Sequence, residues 1–412
     1  MAAEKNNKTL NVPNLRFPEF SEEWERFTLG SIGETFNGLT GKSAVDFGSG
    51  SPYITYKSIF DCSKVDVSKV EYVRITETER AKHAQNEVEY GDIFFTTSSE
   101  TPEEVGMASV LLTPISDCYL NSFCFGYRLF DKQTCLPDFF RFYFRSRNIR
   151  RKIAILAQGS TRFNISKNEV MKMSIFLPLQ NEQRKISKLL TLVEERIETQ
   201  RRIIEKYESL IKGITDTVFH TSNVECLHSF ETLYKDAGEG GTPSTSNSLY
   251  YENGTIPFIK IDDLTQKYLV AHKDYITQMG LKSSSAWLIP TGSVIYSNGA
   301  TIGAISINTY PVSTKQGILG IVPNDSVDTE YLYYLMTSKY FRKQVHRIIT
   351  EGTMKTAYLK DINKILCPVP NLDEQQRLAK SMSSVTKILE TEKATLDAFV
   401  LQKRFLLSHL FI

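Results

Sequence analysis

Two long stretches of this chain repeat each other, and the pattern they share has few stable forms. The first opens with Glu182-Gln183-Arg184-Lys185-Ile186 and carries apolar residues at Ile186, Leu190, Val193, Ile197, Ile204, Tyr207, Ile211, Ile214 and Val218, broken at Gln200. The second opens with Glu374-Gln375-Gln376-Arg377-Leu378 and carries them at Leu378, Met382, Val385, Leu389, Leu396, Phe399, Leu406 and Leu410, broken at Glu392 and Lys403. Apolar residues alternating four and three apart over this length mark a helix with a coiled-coil seam. The spacing predicts long helices over 181–221 and 372–412. An exposed apolar stripe needs a partner, and the nearest one is the other copy. Gln200 and Glu392 stand at the same level of their copies, since 200 − 182 = 18 and 392 − 374 = 18. A polar seam residue commonly fixes register, so the two helices are expected to pair as an antiparallel coiled coil. A pair of core helices, a homodimeric zipper, or a seam facing another protein are the competing readings.

The repeat extends beyond the helices. Upstream of the first lie Pro137-Asp138-Phe139-Phe140-Arg141-Phe142, then Gln158-Gly159-Ser160-Thr161-Arg162, then Phe176-Leu177-Pro178. Upstream of the second lie Thr329-Glu330-Tyr331-Leu332-Tyr333-Tyr334, then Glu351-Gly352-Thr353-Met354-Lys355, then Cys367-Pro368-Val369-Pro370. Pro52-Tyr53-Ile54-Thr55 answers Pro257-Phe258-Ile259-Lys260, and Gly91-Asp92-Ile93-Phe94-Phe95 answers Gly292-Ser293-Val294-Ile295-Tyr296. A period of roughly 190–205 residues means a duplicated domain, not a solenoid of short units. In each copy short apolar runs come first and helical spacing later. The expected fold is α+β: two duplicated mixed domains, 1–180 and 222–371, alternating with the two helices.

The chain's net charge is only +2, but its distribution is uneven. From Arg128 to Lys172 there are 11 Lys/Arg against 3 Asp/Glu, and from Asp328 to Lys364 there are 7 against 4. Cations interleaved with Phe and Tyr ahead of both helices suit a surface that tracks phosphates; a solvated helix face is the plainer reading. No run of 18 apolar residues and no apolar leader core occur, and the cysteines at 62, 118, 124, 135, 226 and 367 show no metal-ligand rhythm. A cytoplasmic protein with reduced thiols and no membrane contact is expected. Gly41-Lys42-Ser43 resembles the end of a phosphate-binding loop, but Phe36 stands where the first glycine is needed, so it reads as a turn. Histidine pairs of zinc spacing, a G-x-S-x-G elbow and an Asn-Pro-Pro-Tyr or Asp-Pro-Pro-Tyr run are all lacking. Neither a catalytic nor a metal site is expected.

Taken in order, these features resemble the specificity subunits of type I restriction-modification systems, over essentially the whole chain. The opening Pro13-Asn14-Leu15-Arg16-Phe17-Pro18-Glu19-Phe20, the Gly-Asp-Ile-Phe strand at 91, the Gln158-Gly159-Ser160 loop and the Pro…Glu-Gln-Arg helix entries carry the resemblance. It implies two target recognition domains, each reading half of an interrupted double-stranded DNA site, on a helical spacer that docks two methylation subunits. Restriction subunits would complete the complex. S-adenosylmethionine, ATP and Mg2+ would belong to those partners, with no cofactor on this chain. Residues 182–219, 38 in number, would span roughly 57 Å as a helix, more than the ~34–36 Å of one DNA turn. Base and phosphate contacts are expected from Lys57, Ser98, Arg162 and Asn164 in the first domain. In the second they are expected from Lys260, Asn298, Lys315, Gln316 and Lys355. Three alternatives remain open: a related system whose partner fuses modification and cleavage, a coiled-coil adaptor that binds only proteins, and an enzyme with a degenerate site.

Overall fold

Neither seam sequence contains a proline, and each begins two residues after one, at Pro178 or Pro370. Proline cannot donate within a helix and ends the extended entry; the residues beyond it form single helices, Gln180–His220 and Leu372–His409. The computed structural model describes residues 11–220, 227–349 and 355–412. The chain divides into two compact units, residues 1–199 with 395–412 and residues 200–394, so each unit holds part of both helices.

In the first unit, apolar runs near 36, 93, 109 and 126 build a four-stranded antiparallel sheet. Its order is Gly33–Asn37, Cys124–Leu129, Ile93–Thr96, Ala108–Val110. A smaller sheet places Phe47–Ile54 between antiparallel Glu71–Val73 and parallel Tyr119–Leu120. Glu25–Thr28 pairs with Ser174–Leu177 just before the helix. The second unit repeats this plan. Tyr234–Glu239, Ile318–Pro323, Val294–Ser297 and Ile305–Asn308 follow the same order and sense, with Tyr268–Leu269 added in parallel at the edge. Ile256–Ile259 lies between antiparallel Asp274–Ile276 and parallel Ser313–Thr314, and Leu227–Ser229 pairs with Leu366–Pro368. Even register is kept, because Ile54 faces Leu120 as Ile259 faces Thr314.

Within each unit the helices run antiparallel. In the first, Glu194 pairs with Lys403 (2.6 Å) and Arg196 lies over the Phe399 ring. In the second, Thr215 meets Met382, and Gln200 donates its amide to the Glu392 carbonyl (3.0 Å) and carboxylate. Two of the three seam interruptions, Gln200 and Glu392, therefore satisfy each other. A position that meets its own counterpart is what self-complementary pairing of two copies requires. The stripe is wider in its contacts than a pure zipper, however. Ile186, Leu190, Val193 and Ile197 join the buried core of the first globule with Leu406 and Leu410, while Phe219, Ala379 and Met382 join that of the second.

The Glu-Gln-Arg entries have a physical explanation. Gln183 is buried; its carbonyl oxygen accepts from Leu136 N–H (2.9 Å), and its amide donates to the Thr134 (3.1 Å) and Pro178 (2.9 Å) carbonyls. Gln375 repeats this with Asp328 N–H (2.9 Å) and the Ser326 (3.0 Å) and Pro370 (2.8 Å) carbonyls. One amide in each copy thus clamps helix entry, strand end and preceding helix together. The opening segment is also held. Arg16 forks onto buried Glu182 at 2.8 and 2.7 Å, and Leu15 N–H reaches His409 O. Cys118, Cys124, Cys135 and Cys367 are buried, and burial pushes their thiols up; Cys62 is exposed and Cys226 lies outside the described residues.

Candidate nucleic-acid interface

In the first unit a short loop closes on itself. Gln158 N–H donates to Asn164 O (2.9 Å) and Asn164 N–H returns to Gln158 O (2.8 Å). Gly159 sits at φ +128°, where an added Cβ would meet the Arg162 carbonyl oxygen at 2.2 Å, so only glycine fits. Phe163–Asn164 then pairs with Ser98–Ser99, and Ile165 N–H donates to Thr97 O. Thr97 N–H in turn donates to Phe123 O, so one residue ties the loop to the 121–123 turn. Arg162 is exposed and lines a cleft of about 510 Å3 with Tyr56, Phe60, Ser99 and Glu104. The Tyr56 and Phe60 rings stack at 5.9 Å, Tyr56 donates to Ser98 O (2.6 Å), and burial pushes its phenol up. Arg162, Asn164 and Ser98 are thus brought together, and exposed Lys57 follows Tyr56 on the helix Tyr56–Asp61. Ser98 is buried, so it contributes framework and not an exposed hydroxyl.

Gly159→Ala is expected to add about 1–3 kcal/mol of local strain and open this loop. Amide hydrogen exchange at Gln158 and Asn164 should speed up while Phe94 and Phe95 in the sheet stay protected. Unchanged protection at Asn164 would remove the requirement for glycine.

In the second unit Lys315 and Gln316 stand exposed on one tight turn. Their backbone is fixed by Lys315 N–H to Ile259 O (3.0 Å), Gln316 N–H to the Thr242 hydroxyl (3.4 Å) and Gly317 N–H to the Glu239 carboxylate (2.8 Å). Lys355 is exposed; Gly352-Thr353-Met354, matched in sequence to the Gly159 loop, lie outside the described residues. Lys260 is half-buried and paired with Asp274 (2.8 Å). Asn298 is corrected outright: it is fully buried, with its backbone oxygen taking Ala357 N–H and its amide donating to Ala357 O (3.2 Å). Its N–H reaches Gly317 O as Thr97 N–H reaches Phe123 O, so its counterpart is Thr97.

The same bonding shows what sequence matching missed. Asn121 N–H donates to Ile54 O just as Lys315 donates to Ile259 O, which makes residues 121–123 the first unit's version of the Lys315 turn. Phe123 is 59% exposed there. An aromatic directly after Asn-Ser was the available signal. The basic segments also need correction. Arg141 is buried against Asp138 and Glu194. Arg145 donates to the Ala108, Ile59, Phe60 and Cys62 carbonyls, and Arg150 to those of Gly106, Glu103 and Val105. Burial pushes both guanidiniums down to about 10. Turned inward, these three cannot track phosphates; Arg147, Arg151, Lys339, Arg342, Lys343 and Arg347 remain exposed.

Lys42 is engaged with Glu79 (2.6 Å) beside Gly41 at φ +80°, in keeping with a turn. Among the described residues no group of three or more His, Cys, Asp or Glu converges on a metal-sized site, and no helix is long and apolar enough to cross a membrane.

The family described as "Type I restriction modification DNA specificity domain" matches residues 21–208 and 235–398. The putative type I restriction enzyme MjaX specificity subunit of Methanocaldococcus jannaschii is 24% identical over 418 residues, covering 94% of this chain and 92% of that protein. The MjaIX specificity subunit of the same organism is 32% identical over 165 residues, a match spanning 39% of this chain and only 38% of the relative. The EcoR124I/EcoR124II specificity subunit of Escherichia coli is 25% identical over 197 residues, spanning 43% and 49%. The fold is similar to the crystal structure of the S subunit from M. genitalium, with TM-score 0.57 and 14% identity, over 97% of this chain and 99% of that one. A chain from a structure describing complex assembly and conformational transition of the type I R-M system gives TM-score 0.60 at 17% identity, over 93% and 96%. With two matched segments that together take in most of its length, the chain belongs to the type I restriction-modification specificity family.

Proposed function

We propose that this chain is the DNA-reading subunit of a type I restriction-modification complex. Each unit reads one half of a bipartite double-stranded site, while the helices set the spacing and dock two methylation subunits, with restriction subunits joining the full assembly. One observation carries this reading: the two units share strand order, register and turn bonding, yet present unlike side chains on equivalent turns, Asn121-Ser122-Phe123 in one and Lys315-Gln316-Gly317 in the other. A framework kept constant under differing loops suits two readers of different sequences, since base edges are told apart by the side chains offered to them. On this reading the chain itself performs no chemistry. S-adenosylmethionine, ATP and Mg2+ belong to its partners, and the complex works in the cytoplasm.

The test is a methylation map of DNA from cells expressing this chain with its methylation subunit, against cells expressing that subunit alone. A motif of two short halves around a fixed unspecified gap, seen only with this chain, is the expected result. No chain-dependent methylation, with the partner folded and bound, would leave a protein-only adaptor as the better account.

A further inference from the structure

In both units a buried cation joins the same three elements, but from different starting residues. In the second unit Lys267 lies at the sheet edge, its carbonyl accepting from Ile307 N–H (2.7 Å). Its ammonium reaches Glu330 (3.0 Å) and the Tyr334 hydroxyl (3.1 Å) on the helix Thr329–Thr337, and Ser383 (2.7 Å) on the second long helix. All three ammonium hydrogens therefore have an acceptor, and the Tyr334 ring centre lies 4.6 Å from the nitrogen.

The matching edge residue in the first unit is Ser63, whose carbonyl accepts from Val110 N–H (3.0 Å). The match is fixed by bonding, because Lys64 bridges Val110 in parallel as Tyr268 pairs with Ile307. The Ser63 hydroxyl donates to Glu194 on the first long helix (3.3 Å) and accepts from Arg141 (3.1 Å) on the helix Pro137–Tyr143. Arg141 also pairs with Glu194 directly. Sheet edge, short helix and long helix thus supply hydroxyl, cation and carboxylate in one unit, and cation, carboxylate and hydroxyl in the other.

The chemistry changes place while the junction stays. Were burial the only requirement, apolar side chains would serve, since a buried ion pair seldom out-stabilises well-packed apolar residues of similar volume. Charge-assisted hydrogen bonds add direction. We propose that Lys267 with Glu330 and Ser383, and Arg141 with Glu194 and Ser63, are positioning groups that fix how each recognition sheet is carried on its long helix. Through that angle they set which unspecified gap the protein accepts between half-sites. This rests on the DNA-reading function proposed above.

The experiment uses the full chain with its methylation subunit and a DNA library whose gap is lengthened or shortened by one base pair. Lys267→Met is expected to reduce discrimination between the native and altered gaps by roughly 10- to 100-fold, the scale on which displacing a positioned group changes a rate. The bases read in either half should not change. Ser383→Ala removes one acceptor without stranding a charge and is expected to relax the gap less, while Lys267→Arg should restore part of the discrimination. Unaltered gap discrimination in Ser383→Ala and in any assembled Lys267→Met complex would overturn the proposal, leaving these groups a role in stability alone. Failure of the DNA-reading function would appear differently, as no bipartite methylation by the unsubstituted chain.

Discussion

Arg145→Ala is expected to destabilise the first unit by about 2–5 kcal/mol, the loss of one donor shared by several carbonyls, two of them on fully buried residues. Four carbonyls converge on this guanidinium, and those of Ile59 and Ala108 belong to fully buried residues that water cannot reach. Losing the donor leaves them unpaired, a penalty of about 1–3 kcal/mol for each buried group, and opens space between the helix Tyr56–Asp61 and the four-stranded sheet. Arg145→Lys should recover little, because a single ammonium cannot span a fan of carbonyls that a planar fork covers. Denaturant titration followed by a probe in the first unit measures the loss, and a change below about 1 kcal/mol, within the scatter of ordinary surface substitutions, would refute the stapling role. The salt dependence of DNA binding should be unaltered once binding is scaled to the folded fraction. A phosphate contact behaves otherwise, since its loss reduces the salt slope.

The second large effect is expected at the helix entries. Gln183→Ala and Gln375→Ala should each destabilise their own unit by about 1–3 kcal/mol, since each leaves a partly buried N–H and two carbonyls without a partner. Glutamate is the sharper probe. It keeps the shape and the acceptor but places a carboxylate against Thr134 and Pro178, or Ser326 and Pro370, which offer only carbonyls. Gln→Glu is therefore expected to be at least as damaging as Gln→Ala, whereas exposed Gln376→Ala should be nearly silent. Thermal melts of these variants, with hydrogen exchange at Leu136 and Asp328, decide it. Equal melts for Gln375→Ala and Gln376→Ala would refute the clamp.

These two sites mark where the sequence was and was not readable. The seam was legible because a sustained 3.5-residue repeat marks one continuous helical stripe, and Gln200 and Glu392 stand at the same level of their copies. The Glu-Gln-Arg entries were visible as a repeat, but nothing in side-chain type says that the glutamine faces inward while its neighbour faces water. The basic segment that holds Arg145 and Arg150 reads as phosphate-facing or solvated, and these two depart from both readings for the same reason: a guanidinium turned toward carbonyls and one turned toward solvent are the same letter. Asn298 was expected to offer its amide to DNA, whereas it is buried and turned onto the Ala357 carbonyl. Loop correspondence lives in hydrogen bonds, and these become countable only once the strands are placed.

The junction at Ser63 and Lys267 bears on how freely such domains can be exchanged between chains. The first globule carries the cation Arg141 with Asp138, but the second carboxylate, Glu194, belongs to the long helix. Grafted onto a foreign helix, that globule keeps Asp138 beside Arg141 but loses its second carboxylate, and the helix pair it leaves keeps Glu194 with Lys403 alone. The second globule keeps Lys267 and Glu330 together and asks the helix only for hydroxyls, at Ser383 and Thr386. It is the more portable module of the two, and a chimera built from this chain is better begun from its second half.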